Sequence, residues 1–210
     1  DLDGNGGCDA ADRSVFNAKL GACRGDARYD PRADGDASGC IESRDALYVF
    51  ETLSIVEFYN AALDHYFISG DDAEIAALDA GTQTRGWTRT GLGFNAYLPG
   101  KSGASPVCRF YIPPGRGDSH FFGRGAAECA ATAQQHPEFT YESNEVMDMG
   151  LPSAGACAAG TVPVYRVFSN RPDANHRYTT NAATRDEMVA RGWLAEGDGP
   201  DQVVMCAPPS

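Results

Sequence analysis

A threefold repeat fills most of the chain, from about residue 54 to residue 210. Each copy has a short aromatic run, then a histidine with aromatic neighbours, then an alanine-containing segment. The three histidines, His65, His120 and His176, are separated by 55 and 56 residues. One unit of this length cannot bury its own aromatic face, so units at this period are expected to pack on one another around a shared axis. We place the units at about residues 54–104, 105–155 and 156–210.

Each unit predicts two short strands, a helix of two or three turns, and two more strands. Runs rich in aromatic and β-branched residues, bounded by Gly, Pro, Asn and Asp, are typical of strands. Apolar spacing and alanine content predict helices at residues 71–78, 126–131 and 182–190. The expected fold class is α+β. Its β-rich pseudo-threefold domain, residues 54–210, should be trefoil-like or a three-bladed propeller with one short helix per repeat.

Two acidic loops precede the repeats, and the second begins 33 residues after the first. Each places side-chain oxygens at positions 1, 3, 5 and 12 and a glycine at position 6, which is the pattern of a calcium-binding loop. The predicted ligands of the first loop are Asp1, Asp3, Asn5, the carbonyl of Gly7, and Asp12. Those of the second loop are Asp34, Asp36, Ser38, the carbonyl of Cys40, and Asp45. The pattern predicts two bound Ca²⁺ ions, the second held less tightly because its serine offers a neutral oxygen.

The segment from residue 1 to about residue 51 resembles a dockerin module. The resemblance rests on the two loops, each followed by a helix-like segment (residues 13–20 and 46–53), and on aspartate at position 12. The run YDPRAD at residues 29–34, which leads into the second loop, is also similar to the family. The resemblance implies a small all-α loop–helix pair that docks on a protein partner in a calcium-dependent way.

The repeats resemble a family of secreted bacterial repeat domains of unknown function, often appended to hydrolases. The matching motifs are an aromatic pair such as Phe58-Tyr59, a histidine between a polar residue and an aromatic, and a Gly-Trp step such as Gly86-Trp87. A cell-surface or carbohydrate ligand is consistent with this resemblance. Two alternatives stay open: a structural subunit that docks into an extracellular assembly through the first segment, or an accessory fragment of a secreted hydrolase.

The composition narrows the classes of function. A formal net charge of −12 argues against nucleic-acid binding, which uses basic surfaces. No apolar run approaches the ~20 residues that a membrane-spanning helix needs. Seven cysteines with abundant glycine and proline favour a secreted, extracellular protein with disulfides. Because Asp1 already lies in a metal-binding pattern, we expect the chain to be a piece of a longer exported protein.

The repeats also predict how the cysteines pair. Cys108 lies on the first predicted strand of repeat two, and Cys129 lies on the predicted helix that packs back on that strand. Cys157 and Cys206 bracket repeat three. In an antiparallel loop–helix pair, the end of the first helix meets the second loop. The expected disulfides are Cys108–Cys129, Cys157–Cys206 and Cys23–Cys40. This pairing assigns no partner within the chain to Cys8.

The sequence carries no nucleophile elbow, no HExxH and no phosphate-binding glycine loop, so we expect no enzymatic activity and assign no catalytic residue. His65, His120 and His176 recur at the same place in every unit. This recurrence favours an architectural role, because an active site needs unlike groups converging on one point. A zinc site made by all three imidazoles is the alternative. Trp87 and Trp193 are expected in the core for the same reason.

Overall fold

The computed structural model describes residues 2–4, 10–46, 52–81 and 86–209. The chain divides into two compact units, Asp1–Thr52 and Leu53–Ser210. The described residues form four α-helices and two antiparallel sheets, which confirms the expected mixed, mostly β architecture. No helix in this part of the chain is long and apolar enough to cross a membrane.

The described part of the first unit contains one α-helix and one disulfide. Helix α1 spans Ala10–Lys19. The chain then turns back beside the middle of the second acidic loop, where the Ile41 N–H donates to the Ala22 carbonyl oxygen at 2.8 Å. Next to this contact Cys23 forms a disulfide with Cys40, and the first predicted pair is confirmed.

The second helix predicted for this unit, at residues 46–53, is wrong at its end. A short 3₁₀ helix, Ser43–Asp45, closes the second loop, and residues 47–51 lie outside the described residues. Thr52 already begins a strand, because β-branched residues and alternating burial continue from there through Val56. The dockerin-like helix pair therefore stays a prediction.

Ten strands form the two sheets of the described residues. They are β1 (Thr52–Asn60), β2 (His65–Ser69), β3 (Trp87–Tyr97), β4 (Ser105–Ile112), β5 (Ser119–Arg124), β6 (Thr140–Met149), β7 (Val162–Phe168), β8 (His176–Thr179), β9 (Leu194–Glu196) and β10 (Val203–Ala207). The larger sheet has the order β2-β1-β3-β6-β4-β5, and in the smaller one β7 lies between β10 and β8 and also pairs with β9. The described strands form neither a closed barrel nor a propeller, so threefold closure stays a prediction.

Side chains from the same position of the three repeats meet in the main core. The ring centroids of Phe67 and Phe122 are 6.2 Å apart, and those of Phe122 and Tyr178 are 5.5 Å apart. The Tyr178 hydroxyl donates to the Phe122 carbonyl oxygen and accepts from the Phe122 N–H, both at 2.9 Å. Each of these residues follows a repeated histidine by two positions. The repeats therefore do pack on one another.

One short helix follows the first hairpin of each repeat, as predicted. These helices are α2 (Asp72–Ala80), α3 (Gly125–Gln135) and α4 (Ala182–Ala190). Helix α2 begins where the Asp71 carboxylate accepts the Glu74 N–H at 2.7 Å. It ends where Gly81 adopts the left-handed conformation, with a φ of 61°.

The two disulfides predicted for the repeats are also confirmed. Cys108 on β4 is bonded to Cys129 on α3, and Cys157 is bonded to Cys206 on β10. The second of these joins residues 49 positions apart and contributes ~4 kcal/mol by restricting the unfolded chain. Cys8 lies outside the described residues.

Candidate metal centre

Three aspartates of the second acidic loop converge in the structure. Carboxylate oxygens of Asp34, Asp36 and Asp45 all lie within 4.8 Å of one another. They occupy positions 1, 3 and 12 of the predicted loop. Asp34 is 5% exposed and Asp45 is fully buried. Three carboxylates at this distance repel one another unless a positive charge lies between them.

Backbone N–H groups hold two of these carboxylates in place. The Asp36 N–H donates to Asp45 Oδ1 at 3.0 Å, and the Glu42 N–H donates to Asp45 Oδ2 at 2.7 Å. The Gly39 N–H donates to Asp34 Oδ2 at 3.0 Å. The loop backbone thus curls around the carboxylates, as a calcium loop requires.

The two oxygens of Asp34 have different surroundings. Oδ2 accepts from the Gly39 N–H and from the Tyr29 hydroxyl. Oδ1 is buried and has no hydrogen-bond partner among the described residues. A buried oxygen without a partner costs ~1–3 kcal/mol, and more when it carries charge. A cation bound between the three aspartates would remove this cost.

The other two predicted ligands of the second loop contact each other. The Ser38 hydroxyl donates to the Cys40 carbonyl oxygen at 3.1 Å. The Ser38 N–H donates to Asp36 Oδ1 at 2.9 Å, which fixes the turn between positions 3 and 5. The structure therefore brings all five predicted residues of this loop into one connected region.

The first loop repeats the contact between positions 3 and 12. The Asp3 N–H donates to Asp12 Oδ1 at 3.0 Å, the same length as the corresponding bond in the second loop. Asp12 is fully buried, as Asp45 is. The other predicted ligands of this loop, Asp1, Asn5 and Gly7, lie outside the described residues.

Tyr29 is a site residue that the ligand pattern missed. Its hydroxyl donates to Asp34 from five positions earlier in the chain. The run YDPRAD at residues 29–34 is a sequence signal for this role, but the twelve-residue pattern assigns no ligand before position 1. Tyr29 orients the carboxylate that carries the unpartnered oxygen.

The repeated histidines belong to the second unit. The side chains of His65, His120 and His176 are 2%, 23% and 10% exposed. His120 lies 3.3 Å from Glu142 of its own repeat, whereas the partner of His65 is Asp173 of repeat three, at 3.6 Å. Within the described residues these imidazoles form no metal-like group of three.

We expect His176 to make the second unit sensitive to acid. Burial lowers the pKa of His176 to about 3, below the value near 6.5 of an exposed imidazole. The folded state therefore favours the neutral imidazole. The contribution of His176 to the free energy of unfolding is lost as pH falls from 6.5 towards the folded pKa. The free energy of unfolding, measured by denaturant titration, should differ between wild type and His176→Gln at pH 7, and the difference should narrow by pH 4.

A second group opposes this trend and makes the comparison with the variant necessary. Burial, with Glu145 beside it, raises the pKa of Asp148 to about 6. A raised carboxyl pKa stabilises the fold at low pH, with the contribution lost as pH rises through about 6. Only the difference in the free energy of unfolding between wild type and His176→Gln reports the effect of the histidine alone. A difference that stays constant from pH 7 to pH 4 would contradict the lowered pKa of His176.

The two units thus define an acidic, disulfide-bonded protein with a carboxylate cluster in its first unit. Residues 38–149, which are 112 of the 210 residues, match the family described as Domain of unknown function (DUF5648), and the chain belongs to this family. No curated protein matches the chain, and no solved structure does.

Proposed function

We propose that the second acidic loop binds Ca²⁺ and that the chain is a non-catalytic, secreted calcium-binding interaction module. The observation that carries the proposal is Asp34 Oδ1, which is buried beside the carboxylates of Asp36 and Asp45 and has no hydrogen-bond partner in the described part of the chain. Hydrogen bonds hold the rest of the loop around it, so the geometry supports a cation at the centre of the cluster.

The donor set favours calcium over other common metals. All the predicted ligands are oxygens, whereas zinc prefers sulfur and nitrogen. Calcium accepts six to eight oxygens from a flexible loop that mixes carboxylates, a hydroxyl and a carbonyl. Magnesium demands a stricter octahedron and usually keeps several waters. We propose two ions per chain, one in each loop, with the second loop the weaker.

The proposal extends to the partners of the two units. The first unit would dock on a protein partner, as the resemblance to dockerins implies, and the repeat domain would recognise a cell-surface or carbohydrate ligand. The three disulfides support an oxidising, extracellular setting.

Calorimetric titration of the metal-free chain with CaCl₂ tests the proposed ion site. Wild type should bind two ions, and Asp34→Asn should bind one, since the variant loses the charge that faces the cluster. Asp26→Asn is the matched control, because Asp26 lies in the same unit and pairs with Arg28 outside the loop. Equal stoichiometry and affinity in wild type and Asp34→Asn would refute the site.

A further inference from the structure

A cleft of about 380 Å³ opens between the first and second repeats. This is a size typical of small-ligand sites. Its walls carry four ring side chains and two carboxylates: Phe67, Trp87, Tyr111, His120, Glu74 and Asp118.

The rings form one continuous aromatic wall. The centroid of Phe67 lies 6.0 Å from that of Trp87 and 4.9 Å from that of His120. The His120 centroid lies 5.4 Å from that of Tyr111. Neighbouring ring planes are tilted by 62°, 53° and 48°, so the wall is curved rather than flat. Burial lowers the pKa of His120 to about 4, and this ring is neutral at pH 7.

The charge around the cleft is negative. Arg109 lies behind it and is shared by two carboxylates, with Nη1 3.0 Å from Glu74 Oε2 and Nε 2.8 Å from Glu142 Oε2. Asp118 is exposed and accepts from the Tyr111 hydroxyl. Within the described residues no lysine or arginine lines the cleft or forms an ion pair with Asp118. Two carboxylates therefore share the Arg109 guanidinium, and Asp118 adds a third negative charge on the open side.

The junction between repeats three and one contains the same kinds of group. There the Tyr59 hydroxyl donates to Asp64 Oδ1 at 2.9 Å, and Trp193 lies with its ring centroid 6.0 Å from that of Tyr66. Asp64 and Asp118 both have a positive φ, of 53° and 46°. Each of these aspartates therefore lies in a hairpin turn with left-handed backbone conformation and accepts a hydrogen bond from a tyrosine of its own repeat. Each junction also holds a tryptophan of the neighbouring repeat.

At that second junction two guanidinium groups lie beside Asp64: Arg191 Nη2 is 3.6 Å from Asp64 Oδ1, and Arg171 is closer. Arg171 places Nη1 2.6 Å from Asp64 Oδ2, and its Cζ lies 5.8 Å from the centroid of the Trp193 ring. Arg171 comes from the hairpin loop of repeat three. The corresponding loop of repeat one lines the cleft with Leu63, which is 42% exposed. Trp193 is 4% exposed under this cover, whereas Trp87 is only partly buried.

We propose that the cleft between repeats one and two binds a guanidinium group from outside the chain, with its plane against Trp87 and its N–H groups towards Asp118. Stacking on an aromatic face and pairing with a carboxylate are both contacts that Arg171 makes inside the fold. The proposal is independent of the calcium site, which lies in the other unit.

Titration with N-acetyl-arginine amide and N-acetyl-citrulline amide tests the proposal. Citrulline has the same shape as arginine without its charge, so the arginine compound should bind at least about tenfold more tightly. Tryptophan fluorescence is the readout, because Trp87 lines the cleft. Methylguanidinium, as a third probe, shows whether the group binds alone or needs the peptide around it. Equal affinity for arginine and citrulline would overturn the proposal.

Two variants locate the site. Asp118→Asn keeps an acceptor for Tyr111 but removes the charge, and should weaken binding of the arginine compound about tenfold. Asp186→Asn, at an exposed aspartate of repeat three that pairs with Arg185, should leave binding unchanged. An unchanged affinity in Asp118→Asn would contradict the assignment.

A third variant tests whether the chain fills the cleft itself. Arg85 lies outside the described residues and is two positions before Trp87. If Arg85→Ala binds the arginine compound and wild type does not, the occupant is internal and the proposal of an external guanidinium fails. Equal binding by both supports it.

Discussion

Replacing Glu57 by glutamine is expected to lower the free energy of unfolding of the second unit by about 3–5 kcal/mol. Glu57 and Arg177 form a bidentate pair, with Nε to Oε1 and Nη2 to Oε2 both at 2.9 Å. Glu57 is 2% exposed and Arg177 is 8% exposed. Removing one charge leaves the other buried without its counter-charge, which is far more costly than losing an exposed pair.

Denaturant titration of the variant measures this loss, and an exposed pair supplies the control. Asp79 makes an equally good contact with Arg89, at 2.7 Å, but the two side chains are 41% and 50% exposed. Asp79→Asn should therefore change stability by less than about 1 kcal/mol. Similar losses in the two variants would show that burial does not govern the strength of the Glu57 pair.

The pair also joins distant parts of the repeat domain. Glu57 lies on β1 of repeat one, and Arg177 lies on β8 of repeat three. The Asn175 side chain reinforces this junction by accepting from the Tyr66 N–H at 2.8 Å and donating to the Tyr66 carbonyl oxygen at 3.0 Å. Hydrogen exchange of β2 in Glu57→Gln should accelerate if the pair holds these repeats together.

Removing calcium is expected to unfold the first unit and leave the second folded. An ion at a concentration a thousandfold above its dissociation constant stabilises the folded state by about 4 kcal/mol. The first unit has one described α-helix and one disulfide to offset the repulsion of its buried carboxylates. Addition of EGTA should make trypsin cleave after Arg24, Arg28 and Arg32, which are exposed residues of this unit.

The second unit provides an internal control for this experiment. Both tryptophans of the chain, Trp87 and Trp193, lie in it, so tryptophan emission should stay constant while the first unit becomes protease-sensitive. Asp34→Asn should be cleaved faster than wild type even when calcium is present. Resistance to trypsin that does not change on chelation would contradict the linkage between calcium and folding.

Much of the local structure could be predicted from the spacing of residues. The period of the histidines located three helices and the aromatic residues that meet in the core, because each repeat forms the same hairpin and helix. Two disulfides followed from the repeats, and Cys23–Cys40 followed from the expected loop–helix pair, since each joins elements that are neighbours within one unit. The acidic loop could be predicted because its ligands lie within twelve residues of one chain segment.

The differences between the repeats could not be predicted in this way. A repeated motif predicts equal roles for Trp87 and Trp193, yet one lines an open cleft and the other lies buried beneath Arg171. The sequence motif also aligns Glu57 with Arg109 and Arg166, so repeat one carries a negative charge where the other two repeats carry a positive one. The motif does not show which residue pairs with Glu57. The partner, Arg177, is 120 residues away, and only the packing of repeat three on repeat one identifies it.

The sequence by itself determined the elements of this protein: the calcium-loop pattern, the repeat period, the helices that follow each hairpin and the cysteine pairs. The tertiary structure decided which copy of each repeated residue is covered and which is open. It also left one oxygen of Asp34 without a hydrogen-bond partner among the residues that the structure describes. The physical reason is that spacing along a strand or helix specifies neighbours within one unit, where the period is short. Burial and charge pairing between units depend on side chains that only the packed fold brings within a few ångströms of one another.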